Sequence, residues 1–231
     1  MQFTIGGIQK TSLLDYPDKI STIVFTQGCN FNCGYCHNPS LINFKSKNDI
    51  STDVFFDFLK KRQGKLDGVV ITGGEPTIQK ELKPFIREIK ALGFLVKLDT
   101  NGSNPFVLRE LFYEKLLDYV AMDIKSSLAR YSEVVGININ TDNIKESIHL
   151  IMKSNVAYEF RTTVLPKFVT LEDFDKIGLL INGAKKYFLQ KFEVQSEIND
   201  NSLVNEQNYS DAQFKEIIAM MKKYVNYVEL R

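Results

Sequence analysis

An excess of charge of one sign is missing from this chain: 29 lysines and arginines face 28 aspartates and glutamates, leaving a formal net charge of +1. No global field therefore draws it to nucleic acid or to an anionic membrane, and any such contact has to be local. Long apolar runs are missing too. None approaches the ~20 residues that span a bilayer, and the opening MQFTIGGIQKTS has neither an h-region nor a cleavage site, so the cytoplasm is the expected compartment. No low-complexity stretch, charge block, Pro/Gly/Ser linker or close internal repeat divides the sequence, and one domain over 1–231 is expected, with residues 1–18 as a short N-terminal extension. With 44% hydrophobic and 25% charged side chains, disorder, collagen and fibre are excluded. Cysteine is scarce: three residues, Cys29, Cys33 and Cys36, all within one short segment. An odd count cannot be wholly paired within one chain, and bridging residues this close strains disulfide geometry. A metal site or a redox thiol remains.

What is present is an architectural beat. Short β-branched or aromatic runs end in polar or glycine residues and are followed by amphipathic helical stretches. Strands are expected over 20–27, 68–72, 94–100, 119–124, 157–165 and 187–194, with 227–230 as a candidate last one. Helices fit between them, over 52–63, 79–92, 105–117, 142–153, 171–182 and 211–225, several opened by a Ser, Thr, Asp or Asn cap. Alternating strand and helix implies a parallel α/β sheet, and six such units suit a partial (β/α)6 TIM-like barrel rather than a complete one. Ligands of such folds sit where strands end and βα loops begin.

The chemistry-bearing residues follow strands. TQGCNFNCGYCHNP follows the first strand and carries three cysteines in the spacing C-x3-C-x2-C. A tetrahedral zinc site needs a fourth ligand, which only an inward turn of His37 would supply at this spacing. An iron–sulfur cubane held by three thiolates fits better, with one iron left open for a small molecule. GGEP, at Gly73, Gly74, Glu75 and Pro76, follows the second strand; a tight turn with an exposed acid is the plainer reading, and glycine there permits a ligand close to the backbone. DTNG after the third strand and DIK after the fourth put Asp99, Thr100 and Asp123 on one edge of the sheet, where they either cap helices or bind. Arg161, inside YEFRTTV, sits among β-branched and aromatic residues that make idle solvent exposure a poor explanation. The helical stretch near 211–225, with Phe214, Ile217, Ile218 and Met221 at helical spacing, reads as core packing.

The cysteine spacing, with the aromatic Tyr35 before Cys36, resembles the cluster motif of the radical S-adenosylmethionine superfamily, and GGEP resembles its glycine-rich segment. CHN (Cys36, His37, Asn38) and DIK narrow the resemblance to activating enzymes of glycyl-radical proteins. The opening KTSLLDYPDKISTIVFTQGCNFNCGYCHNP is similar to the start of anaerobic ribonucleoside-triphosphate reductase activating proteins, and the resemblance runs nearly full length.

That resemblance implies an enzyme in which Cys29, Cys33 and Cys36 ligate one [4Fe–4S] cluster and S-adenosylmethionine chelates the open iron. One electron cleaves the sulfonium, and the 5′-deoxyadenosyl radical takes a hydrogen atom from a glycine Cα of a partner, here anaerobic ribonucleotide reductase. A flavodoxin or ferredoxin is the implied electron donor. Tyr35, Gly73, Gly74, Glu75, Asp99, Asp123, Lys125 and Arg161 are the implied cofactor contacts. Asp99, Thr100 and Asp123, with the Ala121 carbonyl, are implied to hold a monovalent cation; oxygen donors suit one. His37 is read as a partner for a backbone carbonyl, Asn38 and Pro39 as the end of the loop, and Gln195 as a weak candidate for a cofactor or partner contact. With no cysteine elsewhere, one cluster is the limit. Two other readings stand beside this one: radical chemistry on another glycyl-radical enzyme or on a small molecule such as a pterin or deazapurine precursor, and a zinc-binding interaction module using the cysteines and His37.

Overall fold

The computed structural model describes residues 3–44, 50–193 and 197–231. Its backbone is one eight-stranded sheet with strands in chain order: β1 (Ile5–Ser12), β2 (Ser21–Thr26), β3 (Gly68–Gly73), β4 (Leu95–Thr100), β5 (Tyr119–Asp123), β6 (Ala157–Val164), β7 (Tyr187–Lys191) and β8 (Val228–Leu230). β1 runs antiparallel to β2, and every later neighbour is parallel. Helices α1 (Thr52–Lys60), α2 (Leu82–Ala91), α3 (Pro105–Tyr113), α4 (Tyr131–Val135), α5 (Thr141–Lys153), α6 (Leu171–Leu180) and α7 (Asp211–Met221) fill the crossovers. The result is a partial barrel in which β1 and β8 are the two edges.

Strand period decides what each face meets. Val24, Val69, Ile71, Val96, Leu98, Val120, Met122 and Phe160 point outward and are sealed beneath the helices in the main core. The opposite face carries a small apolar plug, Tyr16, Ile23, Val70 and Tyr119, and then turns polar toward the C-terminal strand ends.

Three differences from the sequence expectation have local causes. The stretch read as an N-terminal extension contributes β1, hidden by Gly6, Gly7 and the exposed polar residues of an edge strand. At Gly6 a Cβ would meet Gln27 Oε1 at 2.5 Å, so any larger residue there has to displace that side chain. The helix expected over 79–92 starts only at Leu82, since Gln79 is buried and its amide donates to the Gln27 carbonyl (2.5 Å). The helix over 105–117 stops at Tyr113 because Lys115 takes a left-handed conformation (φ 54°), which frees Leu116 and Leu117 to turn inward. The candidate strand near the C-terminus exists and pairs with β7, and the short α4 was not expected. Val194, the last residue of one expected strand, and Gln195 lie outside the described residues.

Candidate active site

The cysteine loop leaves β2 and is braced from several sides. Gly28 N–H donates to the Leu41 carbonyl (2.8 Å), Cys29 N–H to Ile42 (2.9 Å) and Asn32 N–H to Val135 at the end of α4 (2.8 Å). From the far side of the barrel, Asn199 N–H reaches the Cys36 carbonyl (3.2 Å) and Asp200 N–H the Gly34 carbonyl (2.8 Å). Asn199 also donates through its side chain to Asn32 Oδ1 (2.9 Å) and the Cys33 carbonyl (3.2 Å). His37 Nε2 lies 3.0 Å from the Glu193 carbonyl and its ring stacks on Phe192, which is the backbone partnership expected of it. Asn38 and Pro39 lead into a short 3-10 turn, Pro39–Leu41, that ends the loop.

Gly73 and Gly74 close the other wall. Gly73 has φ +113°, and a Cβ there would lie 2.3 Å from the Thr26 main-chain nitrogen; one on Gly74 would lie 2.0 Å from the Gly28 carbonyl oxygen. Both positions demand glycine for backbone contact between the two loops. The N–H groups of Gly74 and Glu75 donate to Thr26 and Gly28 (2.9 and 2.8 Å), so toward a ligand this segment offers acceptors, the kind of group an ammonium needs.

The Glu75 side chain differs from the exposed acid of a plain turn: it is 1% exposed and serves the protein itself. Four donors converge on it, Thr77 N–H (3.0 Å), Thr77 Oγ1 (2.6 Å), Thr100 Oγ1 (2.7 Å) and Asn101 N–H (2.7 Å). Burial pushes its carboxyl up, against those hydrogen bonds. Thr100 Oγ1 also accepts from Gly102 N–H (3.1 Å), so one carboxylate ties the glycine segment to the end of β4.

Along the lumen, at the floor of the cleft and behind it, five charges alternate. Lys97 Nζ donates to Asp99 Oδ1 (2.6 Å), Arg161 bridges Asp99 Oδ2 (3.1 Å, from Nη1) and Asp123 Oδ1 (2.8 Å, from Nε), and Lys125 Nζ donates to Asp123 Oδ2 (3.0 Å). Their strands place them there, because Asp99 pairs in register with Ala121, and Asp123 with Arg161. Burial alone raises the Asp123 carboxyl, but Arg161 and Lys125 hold it well below the usual carboxylate range. Asp123 and Asp99 correspondingly keep the buried Arg161 charged. Asp99, Asp123, Lys125 and Arg161 line the cleft, two cations against two carboxylates, and Lys97 stands behind Asp99.

Twelve of the residues expected at the site line one cleft of about 330 Å³ at the C-terminal strand ends: Cys29, Cys33, Tyr35, Cys36, Gly73, Gly74, Glu75, Asp99, Thr100, Asp123, Lys125 and Arg161; Ala121, whose carbonyl was expected with them, is not part of its lining. Asn101, Thr163, Gln190 and Lys191 line it too and were not expected; Asn101 and Thr163 lie inside the DTNG and YEFRTTV segments already singled out, and Gln190 and Lys191 end β7 with no motif to mark them. Tyr35 is buried against Phe168 beneath the Lys125 ammonium (5.9 Å), and its hydroxyl has no partner among the described residues.

Three free thiols and an orphaned hydroxyl face the same cleft, which suits a cluster with a ligand above it. Burial pushes the Cys29 thiol up to about 12, against the Phe31 N–H that lowers it, and burial raises Cys33 against the nearby Lys125. Loading a metal group therefore expels protons. Among the described residues no trio of His, Cys, Asp and Glu is arranged around a single ion, and His37 is turned to Glu193, so the zinc reading lacks its fourth ligand. Among them, too, no helix is long and apolar enough to cross a membrane.

Residues 23–181 match the family model described as the Radical SAM superfamily. A protein of Methanocaldococcus jannaschii with the provisional name of a glycyl-radical enzyme activating enzyme is 36% identical, over 100% of this chain and 97% of its own length. The pyruvate formate-lyase-activating enzyme of Streptococcus mutans is 36% identical over 76% of this chain and 70% of its own. Among solved structures, Streptococcus suis SuiB bound to precursor peptide SuiA superposes with a TM-score of 0.65 at 12% identity, over 90% of this chain. This chain spans about half (48%) of that longer protein, and the likeness is one of fold. This chain is an enzyme of the radical SAM superfamily, whose members use S-adenosylmethionine and a [4Fe–4S] cluster, and belongs within it to the glycyl-radical enzyme activating enzymes.

Proposed function

We propose that Cys29, Cys33 and Cys36 hold the [4Fe–4S] cluster, that the cleft beside them holds S-adenosylmethionine, and that the enzyme installs a glycyl radical on anaerobic ribonucleotide reductase. The observation that carries this reading is the gathering of three thiols, the glycine segment and the charge network on one cleft. When bound, the cluster supplies the single electron for reductive cleavage of the sulfonium, and with it the radical that takes hydrogen from the partner's glycine Cα. The protein's own task is aim. Lys125 and Arg161 offer positive charge to the carboxylate of the amino-acid moiety, and the glycine segment offers acceptors to its ammonium. Asp99 and Asp123 orient Arg161 and Lys125 from behind, and Tyr35 supports Lys125 from below.

The choice of ribonucleotide reductase rests on the opening segment, KTSLLDYPDKI, and its similarity to activating proteins of that reductase. A flavodoxin- or ferredoxin-type protein is the proposed donor. A cleft open at the strand ends suits a partner that supplies its glycine loop in trans and excludes water by covering the mouth. The test is electron paramagnetic resonance on the reduced, reconstituted enzyme mixed with S-adenosylmethionine and the reductase. A glycyl doublet with one 5′-deoxyadenosine per radical supports the reading. Cofactor cleavage with a modified small molecule and no protein radical would move the substrate to that class.

A further inference from the structure

We infer that Lys97 is a built-in cation at Asp99, so that this site holds its carboxylate pair without an added monovalent ion. The oxygen donors for such an ion do not fit. Asp99 gives Oδ1 to Lys97 and Oδ2 to Arg161, while Asp123 gives Oδ1 to Arg161 and Oδ2 to Lys125. The Thr100 hydroxyl is turned to Glu75 and Gly102. Ala121 lies in a strand paired on both sides, between Asp99 and Glu159, where main-chain carbonyls belong to the ladder. Every carboxylate oxygen thus already faces a nitrogen cation.

Lys97 is the unexpected member. It sits two residues before Asp99 on β4, hence on the same face of the strand, and does not itself line the cleft. At 2% exposure its ammonium is cut off from water, a placement that is costly without a paired anion. Asp99 supplies that anion at 2.6 Å, and the Tyr119 ring lies 5.9 Å from the same nitrogen. The other lumenal acid, Glu159, is taken by Tyr119 (2.9 Å) and Arg231 (3.4 Å), leaving Lys97 to Asp99. A tethered ammonium takes the Asp99 oxygen that an added ion would need, and fixes the carboxylate that orients Arg161. Lys97 is a positioning residue, acting on the ligand through Asp99 and Arg161.

This rests on the functional reading above only for the identity of the ligand, and the test separates the two. S-adenosylmethionine affinity of the cluster-loaded enzyme is measured calorimetrically in tetramethylammonium chloride and in potassium chloride, alongside the melting temperature of the cluster-free chain in each salt. Wild-type affinity should agree within about twofold between salts. Lys97→Met should bind roughly tenfold more weakly without potassium, the loss of one charged contact, and recover most of that with it. Potassium should raise the melting temperature of Lys97→Met, but not of the wild type or of the Lys97→Met/Asp99→Asn double variant. A wild type that needs potassium overturns the inference, and so does a Lys97→Met enzyme indifferent to its loss and to salt. If Lys97→Met does not fold, the wild-type comparison decides alone. If the wild type binds no S-adenosylmethionine in either salt, the functional reading falls, while the melting series still judges Lys97.

Discussion

Glu75 accepts four hydrogen bonds while sealed from water, so one atom's change there should propagate through two loops. In Glu75→Gln an amide nitrogen replaces one acceptor among donors, and urea unfolding of the metal-free chain should show a loss of about 2–4 kcal/mol. His37 is the contrasting case. Its one polar contact among the described residues is with a main-chain carbonyl at the surface, and His37→Phe keeps the stack on Phe192. That variant should lose at most about 1 kcal/mol and retain the full iron content of the wild type, measured by metal analysis; lost iron would make His37 a ligand. Residue types and spacing alone marked the thiols and favoured a role for Arg161, whereas both aspartates were assigned through the family resemblance, their position also suiting helix caps. Type and spacing could not mark Lys97, because a lysine inside a strand carries no motif and reads as solvated until the barrel seals it beside Asp99.

At the level of elements, the joint between β2 and β3 is closed by backbone rather than side chains. Gly73→Ala puts a Cβ at φ +113° into the Thr26 nitrogen, so the joint must open, at a cost of at least about 2–3 kcal/mol in denaturant titration. The N-terminus of α6 is held by Asp173, which accepts from Ser127 Oγ (2.5 Å), Arg130 Nη1 (3.1 Å) and both Thr170 donors (2.9 Å from N–H, 2.8 Å from Oγ1). Burial pushes its carboxyl up, but these partners outweigh it and hold it below the ordinary range. A lowered value in the folded state means stability fully present above the unfolded value near ~3.9 and lost as pH falls through the folded one. Wild-type unfolding free energy should therefore drop steeply below about pH 4, and more steeply than that of Asp173→Asn. The caps of α6 and α7 were legible as Thr170 and Ser210 before helical patterns. The end of α3 was not, since a left-handed Lys115 is chosen by the burial of Leu116 and Leu117.

For the whole molecule, the cysteine count sets the metal content. Anaerobic reconstitution should yield about four irons and four sulfides per chain, and replacing Cys29, Cys33 or Cys36 by serine should remove most of them. Because burial raises the thiols, loading releases protons and should weaken as pH falls, which absorbance of the cluster bands at fixed iron would show. Loss of two irons or fewer on any single substitution would point to a different cluster.

The sequence by itself determined the strand–helix alternation, the parallel partial barrel and the residues that meet at its mouth. Those features follow from local pattern: period, caps, and loops placed directly after strands. Only the tertiary structure decided that residues 5–12 form an edge strand, that the Glu75 carboxylate serves the protein, that Asn199 and Asp200 clamp the cysteine loop, and that Lys97 stands on Asp99. The first three depend on contacts between separate segments of the chain, and the last on the burial that turns both side chains of one strand into the same lumen once the sheet curls.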